Sequence, residues 1–197
     1  MKNKSEEISP EIMEALFKYG HRRNIKTHEI LAHIGETSNS VYYVLSGGFL
    51  KRFYNEGSEV LRTISFHLPT HRPFMTQTDS FFSRNASYYE IKAFQNSDIL
   101  VFNRSIIEQT MQETFIAEFH YKMIIDALHY ENEFKARLLT YNSKQFYQYL
   151  GDEFPEIVQT VPSKYIAEFI GISAEWLSKL RQKEQKKTSS KYVDKHR

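Results

Sequence analysis

The sequence of 197 residues contains no cysteine. A chain without cysteine cannot form disulfides, ligate zinc or an iron–sulfur cluster through thiolates, or use a thiol nucleophile. It also lacks a hydrophobic run that approaches the length of a membrane span, and its first residues are polar and charged, unlike a signal peptide. We therefore expect a cytoplasmic protein with no membrane partner.

Glycine is scarce as well: there are seven, and none lies between Gly57 and Gly151. Because close approach of a backbone to a phosphate usually depends on glycine, the middle of the chain lacks this means of holding a phosphate.

The charged residues are unevenly distributed along the chain. The net charge is only +2, yet residues 176–197 hold eight Lys or Arg against two acidic residues. Such a concentration of positive charge is typical of nucleic-acid binding.

The apolar periodicity predicts an α+β chain of two domains. A helix over about 8–19 is followed by closely spaced short strands between residues 25 and 102, which favour an antiparallel β-roll or barrel. From residue 104 the period is helical, and we expect one long helix over about 113–139. The period is lost near residues 140–143. We therefore assign residues 1–142 to the first domain and 143–197 to the second.

The predicted long helix has an apolar stripe close to a heptad repeat. Part of it is expected to pack on its own roll, but a helix of this length exceeds what a small barrel can cover, so we expect a parallel helix pair in a homodimer. A second stripe, formed by His120, Ile124 and Leu128, widens the apolar face. The residues that we predict at the dimer seam are Met123, Ala127, Tyr130 and Phe134.

Residues 162–181 (PSKYIAEFIGISAEWLSKLR) have the pattern of two short helices joined by a tight turn. Ala167 supplies the small side chain that a close helix crossing needs, and Gly171 supplies the positive φ of the turn. Leu177 and Leu180 lie on one face of the second helix. An ordinary helical hairpin would explain part of this spacing, but the whole pattern predicts a helix-turn-helix, with the reading helix over 173–183.

Two segments carry a resemblance to a known family. The segments VYYVLSG at 41–47 and VPSKYIAEFIGISAEWLSKLR at 161–181 resemble the cyclic-AMP receptor protein and FNR (Crp/Fnr) family of bacterial transcription regulators, most of all members from Bacteroidetes-type bacteria. The resemblance spans nearly the full chain. It implies a cyclic-nucleotide-binding-like β-roll, a dimerisation helix and a C-terminal DNA-binding domain. It further implies a non-enzymatic homodimer on near-palindromic double-stranded DNA, with RNA polymerase as a further candidate partner.

The resemblance also assigns contacts on DNA. Glu175 would accept from a cytosine amino group, Lys179 would donate to guanine, and Ala174 could meet only a thymine methyl group. The alternatives are that Glu175 is a favourable charge at a helix N-terminus and that Trp176 is a packing residue. The base-reading set is Ala174, Glu175, Ser178 and Lys179, and Gln182 shares their face. The DNA-backbone set is Ser163, Lys164, Ser173, Trp176, Arg181 and Lys183, with added attraction from Lys186 and Lys187.

The sequence departs from the family pattern in two places. Family members that bind cyclic nucleotides hold the ribose and phosphate with a Gly-Glu pair and a later Arg, whereas Thr76, Gln77 and Ser87 stand at those positions here. We therefore expect neither cyclic AMP nor another cofactor. Arg84 and Tyr88 could form part of a pocket for an effector of unknown identity, although the sequence favours a solvated loop arginine at position 84. The family's β-hairpin wing is also missing, because the tail after the reading helix has neither turn signals nor alternation.

Two rival functions stay open at this point. One is a sensor or scaffold protein that has lost DNA binding. The other is a metal-dependent enzyme, for which His67, His71 and Asp79 form a loose set of possible ligands without fixed spacing.

Overall fold

The computed structural model describes residues 8–182. Its helices are α1 (Pro10–Tyr19), α2 (Thr78–Ser83), α3 (Arg104–Thr110), α4 (Thr114–Thr140), α5 (Ser143–Glu153), α6 (Pro155–Thr160) and α7 (Ser163–Ile170). A further helix, α8, occupies residues 174–182. The strands are β1 (His21–Ile25), β2 (Ile30–Ala32), β3 (Ser40–Ser46), β4 (Phe49–Asn55), β5 (Val60–His67), β6 (Phe74–Met75), β7 (Tyr89–Ala93) and β8 (Ser97–Asn103).

The strands form two antiparallel four-stranded sheets, ordered β1-β8-β3-β6 and β2-β7-β4-β5. Alternate residues of each strand face the space between the sheets, because side chains along a strand point to opposite faces. Val44, Phe49, Ile91 and Ile99 are fully buried there. The predicted fold class, an antiparallel β-roll followed by helices, is confirmed.

The 27-residue helix α4 has two different apolar faces. Phe134 is buried and meets Phe146 of α5 edge to face, with ring centroids 5.3 Å apart, and the centroids of the Tyr130 and Phe154 rings are 5.7 Å apart. The prediction that Tyr130 and Phe134 lie at a dimer seam is therefore wrong in this structure, since both rings pack inside their own chain. Met123 and Ala127, the other two predicted seam residues, are partly buried.

Two residues of the second stripe, Ile124 and Leu128, face outward together with Tyr121, whereas its third residue, His120, is partly buried. Tyr121 is 70% exposed, Leu128 55% and Ile124 44%. These side chains recur at three and four residues, so they share one side of the helix. We call Tyr121, Ile124 and Leu128 the open stripe.

The C-terminal helices pack directly on the roll. Phe169 of α7 meets Phe66 of β5 edge to face, with ring centroids 5.0 Å apart, and both belong to a core shared by the roll and helices α4 to α8. A polar contact lies beside this core. The Glu168 Oε1 atom accepts a hydrogen bond from the backbone N–H of Thr63 at 2.6 Å and one from Arg52 at 3.2 Å. We call this contact of Glu168, Thr63 and Arg52 the domain latch.

None of the helices within residues 8–182 is both long enough and apolar enough to cross a membrane.

Candidate nucleic-acid interface

The turn between α7 and α8 has the geometry that its sequence requires. Gly171 ends α7 in the left-handed region, with φ +78° and ψ +35°. The Ile172 N–H then reaches back to the Ala167 carbonyl at 2.9 Å and satisfies one of the free carbonyls at the helix end, as in a Schellman cap. The turn thereby fixes the angle at which α8 leaves α7.

One face of α8 holds it against the rest of the domain. Leu177 is fully buried and Leu180 is 6% exposed, and both belong to the same core as Ile166 and Ala167 of α7. Ala167 is itself 2% exposed, so the position predicted to need a small side chain lies inside the helix crossing. The helix-turn-helix is therefore a packed unit.

The opposite face of α8 is open to solvent. All four predicted base-reading residues, together with Gln182, are exposed: Ala174, Glu175, Ser178 and Lys179. Because Leu177 and Leu180 anchor the other side, this exposed face is presented by a fixed helix and not by a mobile loop. The contact of these residues with bases stays a prediction.

The start of α8 is polar and capped. The Ser173 hydroxyl accepts from the Trp176 backbone N–H at 3.2 Å, which is the contact of an N-cap residue. The backbone N–H of Glu175 and the Ser173 hydroxyl lower the pKa of the Glu175 carboxyl, which is fully exposed. The alternative interpretation of Glu175 as a stabilising charge at a helix N-terminus thus has a physical basis alongside its predicted role on DNA.

Arg181 has a different environment from the one predicted. Its Nε donates to the Tyr147 hydroxyl at 3.0 Å, Nη1 donates to the Ser163 hydroxyl, and Nη2 donates to the Val158 carbonyl at 3.1 Å. The guanidinium therefore joins α8 to α5, α6 and α7. Arg181 and Ser163 were both predicted to contact the DNA backbone; here each is engaged within its own chain, and their contact with phosphates stays a prediction.

The remaining predicted backbone contacts are on the surface. Lys164 is exposed, with Nζ 4.7 Å from the centroid of the Tyr165 ring. Trp176 is 42% exposed, so packing does not account for the whole of this side chain. Lys183, Lys186, Lys187 and the expected absence of a wing lie outside the described residues.

The segment that would hold a cyclic nucleotide in the family is closed by its own side chains. Gln77 is 1% exposed, and its amide nitrogen donates to the carbonyls of His33 and Tyr89. Ser87 is 2% exposed, and its hydroxyl lies 3.3 Å from a carboxylate oxygen of Asp79. A carboxylate at this place repels a phosphate.

The two residues predicted for a ligand pocket lie on the outside. Arg84 ends α2 with φ +62°, and its side chain is 68% exposed with Glu108 at 3.9 Å. Tyr88 is 47% exposed, whereas the next residue, Tyr89, faces the interior beneath Lys51. Both side chains therefore lie at the surface, and Arg84 has the solvated environment that its sequence favours.

The histidines considered as metal ligands are buried in the protein. His67 is 3% exposed and His71 is 6% exposed. His71 Nε2 lies 3.2 Å from the Tyr130 hydroxyl, and its ring meets Phe154 edge to face at 5.0 Å. Within residues 8–182 no group of three or more His, Asp or Glu side chains is placed to hold a metal ion.

Comparison with known proteins gives a structural likeness. No protein-family model and no curated protein matches the chain. Solved structures that match include the c-di-GMP-responsive global regulator CLP of Xanthomonas campestris, with a TM-score of 0.68 and 15% identity over 91% of this chain and 93% of that one. FixK2 of Bradyrhizobium japonicum has a TM-score of 0.68 and 14% identity over 86% of each chain. The catabolite activator protein of Thermus thermophilus has a TM-score of 0.55 and 14% identity over 93% of this chain and 86% of that one. The chain therefore has the fold of the Crp/Fnr-type regulators.

Proposed function

We propose that the chain is a homodimeric, sequence-specific DNA-binding transcription regulator that reads a near-palindromic operator with α8. The observation that carries this proposal is the two-sided character of α8: Leu177 is fully buried, whereas the adjacent Ser178 and Lys179 are exposed. A helix that is anchored on one side and polar on the other is what a major groove accepts. The shared fold with Crp/Fnr-type regulators supports the same function.

The open stripe supports the dimer. Tyr121, Ile124 and Leu128 leave an apolar face without cover along a helix that is already packed on its other side. A second copy of the same helix matches this face, because two equal apolar stripes can bury each other about a two-fold axis. The stripe therefore replaces Tyr130 and Phe134 as the seam that we propose.

The operator should follow from this symmetry. Two α8 helices related by a two-fold axis would enter successive major grooves about 34–36 Å apart, which is one turn of DNA. A protected site with two inverted half-sites at this spacing is the expected footprint. Protection of one unpaired half-site would contradict the dimer.

The reading face is tested by two lysines in different roles. Lys179→Ala should cost about 1–3 kcal/mol of affinity on the selected operator and relax the preference at one base pair. Lys164→Ala, at a proposed phosphate contact, should weaken binding equally on all sequences and reduce the salt slope by about one. Binding measured against salt concentration on operator and random DNA separates the two. If the wild-type chain shows no salt-dependent binding, the chain is a sensor or scaffold without DNA binding.

The dimer is tested on the open stripe. Leu128→Asp places a charge in the centre of the proposed seam and should give a monomer by light scattering coupled to size exclusion. The matched control is His129→Asp, because His129 is the next residue, is exposed and points away from the stripe. Two dimeric variants, or two monomeric ones, would rule out the open stripe as the seam.

A further part of the proposal is that the roll gates DNA binding through an effector. The shared core of α7 and β5, together with the domain latch, supports this, because a change inside the roll has a packed route to the reading domain.

A further inference from the structure

A partly buried lysine on the inner face of the roll makes no ion pair with a carboxylate in the described chain. Lys51 of β4 lies two residues after the fully buried Phe49, so its side chain is on the inner face of the sheet. Its Nζ lies 4.5 Å from the centroid of the Tyr89 ring. Within residues 8–182 no carboxylate comes within 4 Å of Nζ, whereas Arg52, the next residue on the outer face, pairs with both Glu90 and Glu168.

A second cation stands beside this lysine. Arg72, in the loop between β5 and β6, donates to the Ser65 hydroxyl at 3.0 Å and pairs with Glu131 of α4 at 2.5 Å. Ser65 is the residue opposite Lys51 in the β4–β5 register, which brings the guanidinium to the same part of the sheet. Burial, followed by repulsion from Arg72, lowers the pKa of Lys51 to about 8, although Asp79 and Glu131 act in the opposite sense.

A buried acceptor completes the arrangement. His67 of β5 is 3% exposed and lies two residues from Ser65, so its side chain is on the same inner face. Its Nδ1 is 2.8 Å from the Arg72 carbonyl and therefore carries the ring proton. Burial holds the pKa of His67 well below its ordinary value, so the ring is neutral and Nε2 is a hydrogen-bond acceptor. Nε2 is buried and has no hydrogen-bond partner in the described chain.

We propose that this inner face of β4 and β5 binds a small oxyanion that keeps a hydroxyl proton at neutral pH, such as hydrogen phosphate. Lys51 contacts the anionic oxygens, and His67 Nε2 accepts from the ligand hydroxyl. Arg72 links the bound anion to α4 through its pair with Glu131. These contacts come from β4, β5 and the loop after β5, and not from the segment 76–87, which Gln77 and Asp79 close, although Asp79 is near enough to act on the pKa of Lys51.

The chemistry of this pair of contacts discriminates among anions. Hydrogen phosphate has both a negative oxygen and an O–H donor at neutral pH. Sulfate has the same size and charge but no proton, so its oxygen lone pairs would face the lone pair of His67 Nε2. A cyclic phosphodiester lacks the proton as well, and the site should reject it for the same reason.

The test compares phosphate with sulfate on the whole chain in the absence of DNA, so that its outcome does not depend on the proposed DNA binding. Isothermal titration at constant ionic strength and pH 7.5 should show saturable binding of inorganic phosphate, about 10-fold or more tighter than sulfate. Equal affinity for the two anions, or no saturable binding of phosphate, would overturn the proposal. This comparison uses the wild-type chain and does not depend on the folding of a variant.

Two lysine variants then locate the site. Lys51→Met should weaken phosphate binding about 10- to 100-fold, because a charge-assisted hydrogen bond is lost while the apolar stem remains. The control is Lys92→Met on the neighbouring strand β7, since Lys92 follows the inward-facing Ile91 and lies on the outer face. Phosphate affinity unchanged in Lys51→Met, or lost equally in both variants, would show that the anion binds elsewhere.

Discussion

Removing the carboxylate of the domain latch should loosen the reading domain from the roll by a measurable free energy. Glu168 Oε1 accepts from the Thr63 N–H at 2.6 Å and from Arg52 at 3.2 Å, and its side chain is only 24% exposed. In Glu168→Ala, Thr63, which is 3% exposed, keeps a buried N–H without an acceptor. Such a group costs about 1–3 kcal/mol, and the loss of the Arg52 contact adds to it. We expect Glu168→Ala to be about 2–3 kcal/mol less stable than the wild type.

Glu168→Gln separates the two contributions. The amide oxygen can still accept from Thr63, whereas the charge opposite Arg52 is lost, so the cost should fall to about 1 kcal/mol. Asp152→Ala is the control, since Asp152 is an exposed acid on α5 of the same domain. Urea unfolding gives the stability, and hydrogen exchange at the Thr63 amide reports the latch itself. Exchange at Thr63 as slow in Glu168→Ala as in the wild type would refute the reasoning.

Three further predictions concern pH dependence and backbone conformation. Burial lowers the pKa of His71 to about 3, so the unfolded chain binds more protons than the folded chain below about pH 6.5. The free energy of unfolding should therefore fall as the pH is lowered, by about 2 kcal/mol at pH 5. Urea unfolding at pH 7 and pH 5 should show a smaller fall in His71→Phe than in the wild type, and an equal fall in both would contradict this. Gly171→Ala should cost about 1 kcal/mol in thermal unfolding, because φ is +78° and an added Cβ meets no atom within 4 Å. In Gly151→Ala the added Cβ also meets no atom within 4 Å, but residue 151 lies within α5, so this change should stabilise the chain by about 0.5–1 kcal/mol. If both substitutions changed the stability in the same direction, the argument from backbone conformation would be refuted. The folded-state pKa of Lys51, about 8, lies below its unfolded value, so the free energy of unfolding of the wild type should rise from pH 8 to pH 10 relative to that of Lys51→Met. The same pH dependence in both chains would show that the Lys51 ammonium is not desolvated in the folded state.

The local pattern of the reading domain was sufficient to predict its geometry. Ala167 and Gly171 each have a single steric role, a close helix crossing and a positive φ, and such roles depend on a few neighbouring residues. The internal contacts of Arg181 could not be predicted, for the opposite reason. Its partners Tyr147, Val158 and Ser163 are as many as 34 residues away in sequence, and a cation at the end of a reading helix has the same local signature whether it faces DNA or its own domain.

The faces of α4 could not be assigned from periodicity alone. Phe134 and Leu128 are both apolar at helical spacing, and burial in the same chain leaves the same pattern as burial in a partner. Which of Tyr88 and Tyr89 faces inward depends on strand register, because a slip of one residue exchanges the inner and outer faces. The missed Lys51 did have a signal: it shares the parity of Phe49 and Phe53 on β4, so a polar residue stands at an inward position.

The position of β5 at the edge of its sheet gives the docking of α7 a protective value. An uncovered edge strand is a template for pairing with another chain, and Thr63 would present a free N–H beside the apolar Phe66 if α7 moved away. Any motion that separates α7 from β5 therefore also exposes a strand edge that can pair with another chain. A chain in which α7 stays separated from β5 should therefore tend to aggregate. Variants that weaken the domain latch should aggregate faster than their loss of stability alone would explain.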